Sequence, residues 1–252
     1  MHTLLVNADD FGISKESNEA IKEAIRAGSV NSVSVMVNTQ YFEDAVAFLK
    51  KHPAVKVGLH FNITEGISRS SIQEHILSSI FRKRYFLNTV KRELLKQYLT
   101  LQRTGLHINH IDSHEHVHLI PAVFTSVSEL AEKCKIERVR GCAFSLPQLL
   151  SIKNRLPSVK QTVIWLVYGL NYIFLPNNRK KLFSKWYLLD LNWDTNFSID
   201  HLQKILTTVP VDAIEIICHL SSAITQDKLS TERYHCKNFL VHEFKQLWET
   251  PV

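Results

Sequence analysis

Glycine is scarce in this chain, with seven residues in 252. Turns must therefore draw on Asn, Asp and Ser as well. No glycine-rich dinucleotide fingerprint follows the first strand-like run, which speaks against an open nucleotide-binding sheet. Cysteine is sparse too: Cys134, Cys142, Cys218 and Cys236 are scattered, with no CxxC pair. That argues against a thiolate zinc site or a disulfide framework and predicts reduced thiols. No apolar run reaches the roughly 20 residues that span a bilayer. The strongest candidate, Thr162–Leu175 (TVIWLVYGLNYIFL), has fourteen residues, flanked by Lys160 and by Arg179, Lys180 and Lys181. It reads either as a buried core helix or as an aromatic-rich interfacial helix with basic flanks. Acids are missing from the whole stretch between Arg138 and Asp190, which holds nine Lys or Arg residues up to Lys185. Such a region suits a phosphate-bearing substrate, an anionic lipid surface or nucleic acid, or is a solvated basic face.

What is present is ordinary for a soluble globular protein: 45% apolar and 21% charged residues, with a formal charge of +6. The charge favours anionic partners and says nothing about fold. The opening MHTLLVNADDFG carries charge by position 9 and reads as a first strand rather than a signal peptide. Short β-branched runs predict strands at Thr3–Ala8, Val30–Val37, Val55–Leu59, Ile108–Ile111, Ile136–Arg140, Trp186–Leu191 and Ala213–Cys218. Helix-like stretches lie between them. Ser14–Ala27 opens on a capping serine and closes at Gly28. Tyr41–Lys51 stops before Pro53, Arg84–Thr104 ends at Gly105, and Ala122–Lys133 follows Pro121. His201–Thr208 and Glu232–Glu249 complete the set.

Strand followed by helix, repeated about seven times, predicts an α/β protein with a parallel sheet. No repeat or linker divides it, so residues 1–252 read as one domain. Polar clusters fall at the C-terminal ends of different strands: Asp9 and Asp10, His60, Asp112 and His114, Arg140, and His219. In a (β/α) barrel those ends converge on one face, where chemistry sits.

Four motifs carry that chemistry. In Asn7-Ala8-Asp9-Asp10-Phe11-Gly12, two adjacent carboxylates are costly to bring together without a cation or a proton. Gly58-Leu59-His60-Phe61-Asn62 places His60 near a strand end. His107–His118, HINHIDSHEHVH, holds five histidines and two acids in twelve residues, a donor set for zinc or a related divalent ion. Asp112 and His114, two apart, share a face if the strand continues that far. Glu215-Ile216-Ile217-Cys218-His219-Leu220 ends a buried strand on a histidine, able to deliver a proton or to be a hydrogen-bonded core residue.

The order LLVNADDFGIS, GLHFN, HIDSHEHVHLIP and EIICHL resembles the YdjC-like carbohydrate deacetylases, from residue 4 to about residue 220. The resemblance implies a distorted TIM-like (β/α) barrel and removal of acetyl groups from N-acetylated amino sugars such as oligosaccharides; the basic and aromatic enrichment of residues 138–187 adds the variant of a lipid- or phosphate-linked sugar. The resemblance also implies a divalent metal, Mg²⁺ or Zn²⁺, on Asp10, His60 and His114, with Asp9 as general base and His219 as general acid. Asn7, Asp112, His116, His118 and Arg140 are expected to bind substrate or orient the ligands. The chain departs from the family at Leu220, where proline is usual, and at Ile67–Asn88, in place of a glycine-containing substrate loop. The same ligands would serve a metal-dependent hydrolase of another bond, and the basic stretch is the alternative basis for a membrane- or nucleic-acid-binding protein. The expected partner is an N-acetylated carbohydrate and not nucleic acid. A cytoplasmic location is expected, with peripheral contact to an anionic membrane and a homodimer left open.

Overall fold

The structure, a computed structural model, describes residues 3–65, 81–141, 159–183, 186–190 and 213–220. Seven strands form one all-parallel sheet: β1 (Thr3–Phe11), β2 (Ser32–Val35), β3 (Lys56–Phe61), β4 (Ile108–Ser113), β5 (Arg138–Val139), β6 (Trp186–Asp190) and β7 (Ala213–Cys218). Their order is β5-β4-β3-β2-β1-β7-β6. This is the sequential order of a (β/α) barrel in which β7 returns beside β1 and the seam falls between β5 and β6. The sheet is curled rather than flat. In a flat sheet, β5 and β7 would stand about 24 Å apart, five spacings of about 4.8 Å. Yet Arg138 and Arg140, at the end of β5, hold ion pairs with Glu215 of β7. That makes the fold a distorted TIM-like barrel.

Among the described residues, five helices of eight or more residues cover the outside: α1 (Lys15–Arg26), α2 (Phe42–Leu49), α3 (Lys83–Gln102), α4 (Pro121–Lys133) and α5 (Val159–Phe174). Ser14 caps α1 by accepting from the Ser17 backbone N–H. Pro121 takes the first turn of α4, where no N–H is needed. Outward-facing Val6, Ala8, Val33, Val35 and Leu59 pack with Ile21, Phe48, Leu101 and Val127 of the helices into the hydrophobic core. The core is thus the sleeve between sheet and helices.

All seven strands lie where the sequence places them, with β2 and β5 shorter and β1 running on to Phe11. The helices expected at His201–Thr208 and Glu232–Glu249 lie outside the described residues. Thr162–Leu175 is helical but is not a buried core helix: Tyr168 and Leu175 are buried while Leu166, Leu170, Ile173 and Phe174 are exposed. No helix among the described residues is long and apolar enough to cross a membrane. Cys134 and Cys218 form no disulfide among the described residues, and Cys218 Sγ donates to the Asn7 carbonyl (3.4 Å).

Candidate metal centre and active site

The barrel-facing side of the strands is rich in polar residues. Strand alternation puts Asn7 and Asp9 of β1, Ser32 and Ser34 of β2, Gly58 and His60 of β3, His110 and Asp112 of β4, and Glu215 of β7 on the barrel interior. Arg138, and Arg140 just past β5, join them. These residues are buried, and many of their side chains hydrogen-bond one another. Ser32 Oγ donates to Asn7 Oδ1 (2.6 Å), and Asn7 Nδ2 donates to Ser34 Oγ (2.8 Å) and Asp9 Oδ1 (2.7 Å). Ser34 Oγ donates to Asp112 Oδ2 (2.6 Å) and lies 3.1 Å from His110 Nε2. TIM barrels usually fill this space with branched aliphatic layers. Here a hydrogen-bonded polar floor supports the C-terminal rim.

Two adjacent carboxylates in a regular strand would point to opposite faces. The pairing of β1 with β2 shifts register between Ala8 and Phe11, a bulge, and Asp10 takes a left-handed backbone (φ 64°). A bulge re-aims side chains while the strand continues. Asp9 and Asp10 therefore both turn inward, although the strand does not end there. Glu115 and His116 are left-handed as well (φ 50° and 57°), in the 3₁₀ turn His114–Leu119 that follows β4. Left-handed non-glycine residues are strained and cluster at functional sites. Ser113 holds this turn: its Oγ accepts from the His118 backbone N–H (2.9 Å) and bonds His118 Nδ1.

The turn brings His114 Nδ1 to 2.8 Å from Asp10 Oδ1, and His60 Nε2 stands 3.2 Å from the same oxygen. Asp10, His60 and His114, remote in sequence, thus offer donor atoms that could hold one metal ion. Donors about 2.1 Å from a shared zinc or magnesium ion lie about 3.0–3.4 Å apart, close to the observed spacing. His60 supplies the sharper indication. Its Nδ1 hydrogen-bonds Asp112 Oδ1 (2.8 Å), while its buried Nε2 has no hydrogen-bond partner among the described residues and faces Asp10. A ligating histidine usually gives its second nitrogen to a carboxylate in this way. Burial works against charge on Asp10, but the neighbouring His114 and His60 imidazoles hold it well below the usual carboxylate range. Burial likewise opposes charge on His60, but Asp112 and Asp9 overcome it and push the imidazole up to about 10.

Asp9, His60 and Asp112 form a second group of close donors, but a cation already serves it. Arg140 Nη1 donates to Asp9 Oδ2 (2.7 Å) and Nη2 to Asp9 Oδ1 (2.8 Å). Nη2 also lies 2.6 Å from Asp112 Oδ2 and 2.9 Å from Glu215 Oε1. Arg138 pairs with Glu215 from the other side. Despite burial, Arg140 lowers the pKa of both Asp9 and Asp112, and Arg138 with Arg140 lowers that of Glu215. Asp9, Asp10, Asp112 and Glu215 are thus four buried carboxylates facing two buried guanidinium groups. The guanidinium groups offset two of the four negative charges, and the protonated His60 imidazole offsets a third.

Asp9 lies one residue from Asp10, clamped by Arg140 and Asn7, and His219 Nε2 is 3.8 Å from its Oδ2. His219 side chain is 22% exposed and His114 17%, so both meet the open end of the barrel. A buried carboxylate and a partly exposed imidazole therefore flank the candidate metal group.

Every residue singled out from the sequence falls in or beside this cluster, with some roles revised. Asn7, Asp112 and Arg140 support Asp9 and His60 from below. His116 and His118 stand ring to ring, centroids 6.2 Å apart, outside the donor group. Burial pushes these imidazoles down, to about 3 for His116 and about 4 for His118. The basic stretch is not one solvated face: Arg138 and Arg140 are buried in the ion network, and Arg179 pairs with Glu132 (2.7 Å) and Glu129 (3.7 Å). Sequence reasoning missed Ser32, Ser34 and Arg138, and gave His110 and Glu215 no role of their own although both lie in the motifs it singled out. A signal existed: N-x-D, S-x-S, G-x-H, H-x-D and R-x-R recur on five successive strands, at the spacing that shares one strand face.

Comparison with known proteins agrees. The chain is 39% identical over 148 residues to a carbohydrate deacetylase of Brevibacillus brevis, covering 53% of this chain and 57% of that protein. It is 39% identical over 140 residues to a chitooligosaccharide deacetylase of an Enterobacter species, covering 52% and 56%. The chain thus spans a little over half the length of these relatives. A solved structure from Enterococcus faecalis V583, whose name refers to cellobiose-phosphate cleavage, superposes with a TM-score of 0.69 at 20% identity. It covers 98% of this chain and 93% of its own, which supports the barrel. With the YdjC-like protein family matching residues 3–249, this chain belongs to that family.

Proposed function

We propose that this protein is a metal-dependent N-deacetylase of acetylated amino sugars, built as one domain over the whole chain. The observation that carries the reading is the meeting of Asp10, His60 and His114 around one point, with Asp9 and His219 beside it. The names of the relatives supply the substrate class. Asp10, His60 and His114 would hold the ion; two imidazoles and a carboxylate are a zinc-type donor set, with magnesium the other candidate. When bound, such an ion polarises an amide carbonyl and makes water a better nucleophile near neutral pH. The chain's own residues do the rest. Asp9, kept ionised by Arg140, accepts at Oδ2 the proton of the attacking water. His219 Nε2 donates a proton to the departing amine nitrogen, without which the C–N bond does not break readily. Asn7 and Arg140 fix the Asp9 carboxylate plane, and Asp112 fixes the His60 ring.

Metal analysis, combined with acetate release from a panel of N-acetylated mono- and oligosaccharides, tests the reading. The wild-type protein binds about one divalent ion and releases acetate. Asp9→Asn keeps the metal and loses turnover, and Asp10→Ala loses both. Bound metal with hydrolysis of phosphate esters and no acetate release from any sugar would replace the deacetylase reading with another metal-dependent hydrolysis.

A further inference from the structure

Helix α5 presents two different faces. Tyr168, Asn171, Tyr172 and Leu175 face the protein. Tyr168 stacks in a cluster with Phe124, Tyr172 and Phe183, and Asn171 Nδ2 donates to the Leu119 carbonyl (2.6 Å). This inner face seats the helix against the turn that carries His114. The outer face shows Leu166, Leu170, Ile173 and Phe174, exposed by 62, 57, 65 and 82%. Their spacing of four, three and one places all of them on a single stripe. No charged residue occurs from Gln161 to Asn178. Four large, contiguous exposed apolar side chains mark an interaction surface.

The surrounding charge chooses the occupant. Lys160 stands at one end of the helix and Arg179, Lys180 and Lys181 follow the other, with no acid between Arg138 and Asp190. Arg179 is committed to Glu129 and Glu132. Lys180 lies over the Tyr172 ring, and Lys181 is exposed. A second copy of the chain fits poorly, because a symmetric interface sets the same patch against itself. Parallel or antiparallel, lysines at both ends of the stripe would then meet lysines. An apolar stripe bounded by cations instead matches the acyl boundary and headgroups of an anionic bilayer, on which such a helix lies in the plane. At 16 residues, α5 is too short to cross one. We infer that α5 is an interfacial helix that docks this protein on an anionic lipid surface through Leu166, Leu170, Ile173 and Phe174, beside the open end of the barrel.

Co-sedimentation of the full chain with phosphatidylcholine vesicles, with and without phosphatidylglycerol, tests this. The wild-type protein pellets with the anionic vesicles at low salt and much less at high salt. Leu170→Asp/Phe174→Asp abolishes pelleting while leaving the far-ultraviolet circular dichroism unchanged. Lys180→Gln/Lys181→Gln, which leaves the stripe intact, weakens partitioning roughly 25-fold, about fivefold per cation. No pelleting of wild type with anionic vesicles at low salt overturns the proposal, as does equal pelleting of the Leu170→Asp/Phe174→Asp variant. Sedimentation velocity showing a dimer that the same double variant dissociates, without vesicle binding, would assign the stripe to a second copy instead. The assay reads binding alone, so its outcome is independent of the deacetylase reading.

Discussion

Gly58→Ala is the substitution that most directly probes the polar floor beneath the site. A Cβ at Gly58 would lie 2.2 Å from His110 Nε2 and 2.4 Å from His110 Cδ2 and Cε1, far inside van der Waals contact with the imidazole ring. Gly58 and His110 are register partners on β3 and β4, so the glycine is there because the histidine occupies its side-chain space. His110 cannot swing away freely, being buried close to Arg138 and Glu215. Overpacking a core costs about 1–3 kcal/mol. Parting His110 from Ser34 strands a buried polar group at about another 1–3 kcal/mol. For a domain of this size, the total of about 2–6 kcal/mol lowers Tm by roughly 5–20 °C. The effect should also reach the metal group, because Ser34 bonds both His110 and Asp112, and Asp112 holds His60. Calorimetry with metal titration of wild type, Gly58→Ala, His110→Ala and the double variant measures this. The new methyl fits the space vacated in His110→Ala, so the double variant should be more stable than the sum of the singles by about 1–3 kcal/mol. Additivity within about 0.5 kcal/mol, or a neutral Gly58→Ala, would refute the reasoning.

Three further outcomes follow from the same network. Asp112→Asn removes the carboxylate that orients His60 and should weaken divalent metal binding about 10–100-fold with the fold retained, as read by isothermal titration. Ser113→Ala frees the left-handed turn at Glu115 and His116, costing about 1–3 kcal/mol in urea unfolding and loosening His114, so metal affinity falls with it. Glu215→Gln leaves Arg138 and Arg140 short of a counter-charge and should cost about 3–5 kcal/mol near neutral pH. The Glu215 pKa is lowered on folding despite burial, because of Arg138 and Arg140. Its contribution is therefore complete above the unfolded value of about 4.3 and is lost as pH falls through the folded value. The gap in Tm between wild type and Glu215→Gln should be constant above about pH 5 and close below about pH 4; a gap that widens in acid would contradict the pairing.

Much of this was legible in the sequence because it rests on local signals. Strand and helix periodicity, the Ser14 cap and the Pro121 start are written in neighbouring residues, and the HIDSHEHVH run stands far above background. Asp10, His60 and His114 lie among the polar residues at strand ends, which converge in a barrel, and the family resemblance is what singled them out as ligands. The polar floor was less visible because serine, glycine and a lone glutamate are individually unremarkable in strands. Their meaning lies in cross-strand register, which a single sequence does not print. The bulge at Asp9–Asp10 was hidden for a similar reason: a left-handed aspartate looks like a turn signal, and the expectation was that the strand stopped at Ala8. The basic stretch misled in part because charge counted along the chain takes no account of burial. Arg138 and Arg140 point inward to acids from β1, β4 and β7, more than 20 residues away in sequence.

Stability is a weak explanation for the ion network itself. Buried charge pairs lose in desolvation about what they recover in attraction, and apolar residues of the same volume often serve a fold better. Position is what the network provides. One guanidinium touches carboxylates from three strands, so Asp9 and Asp112 are fixed relative to each other, and Asp112 in turn fixes His60. The proposed base and a proposed metal ligand are thereby tied to one planar group. A lysine could not do this, since it lacks the rigid fork that meets several oxygens at set angles. The same network also leaves two of four buried carboxylate charges unmatched by arginine. A divalent cation held by Asp10, His60 and His114 would add positive charge beside these carboxylates, so the network that positions Asp9 and His60 also favours the proposed ion electrostatically.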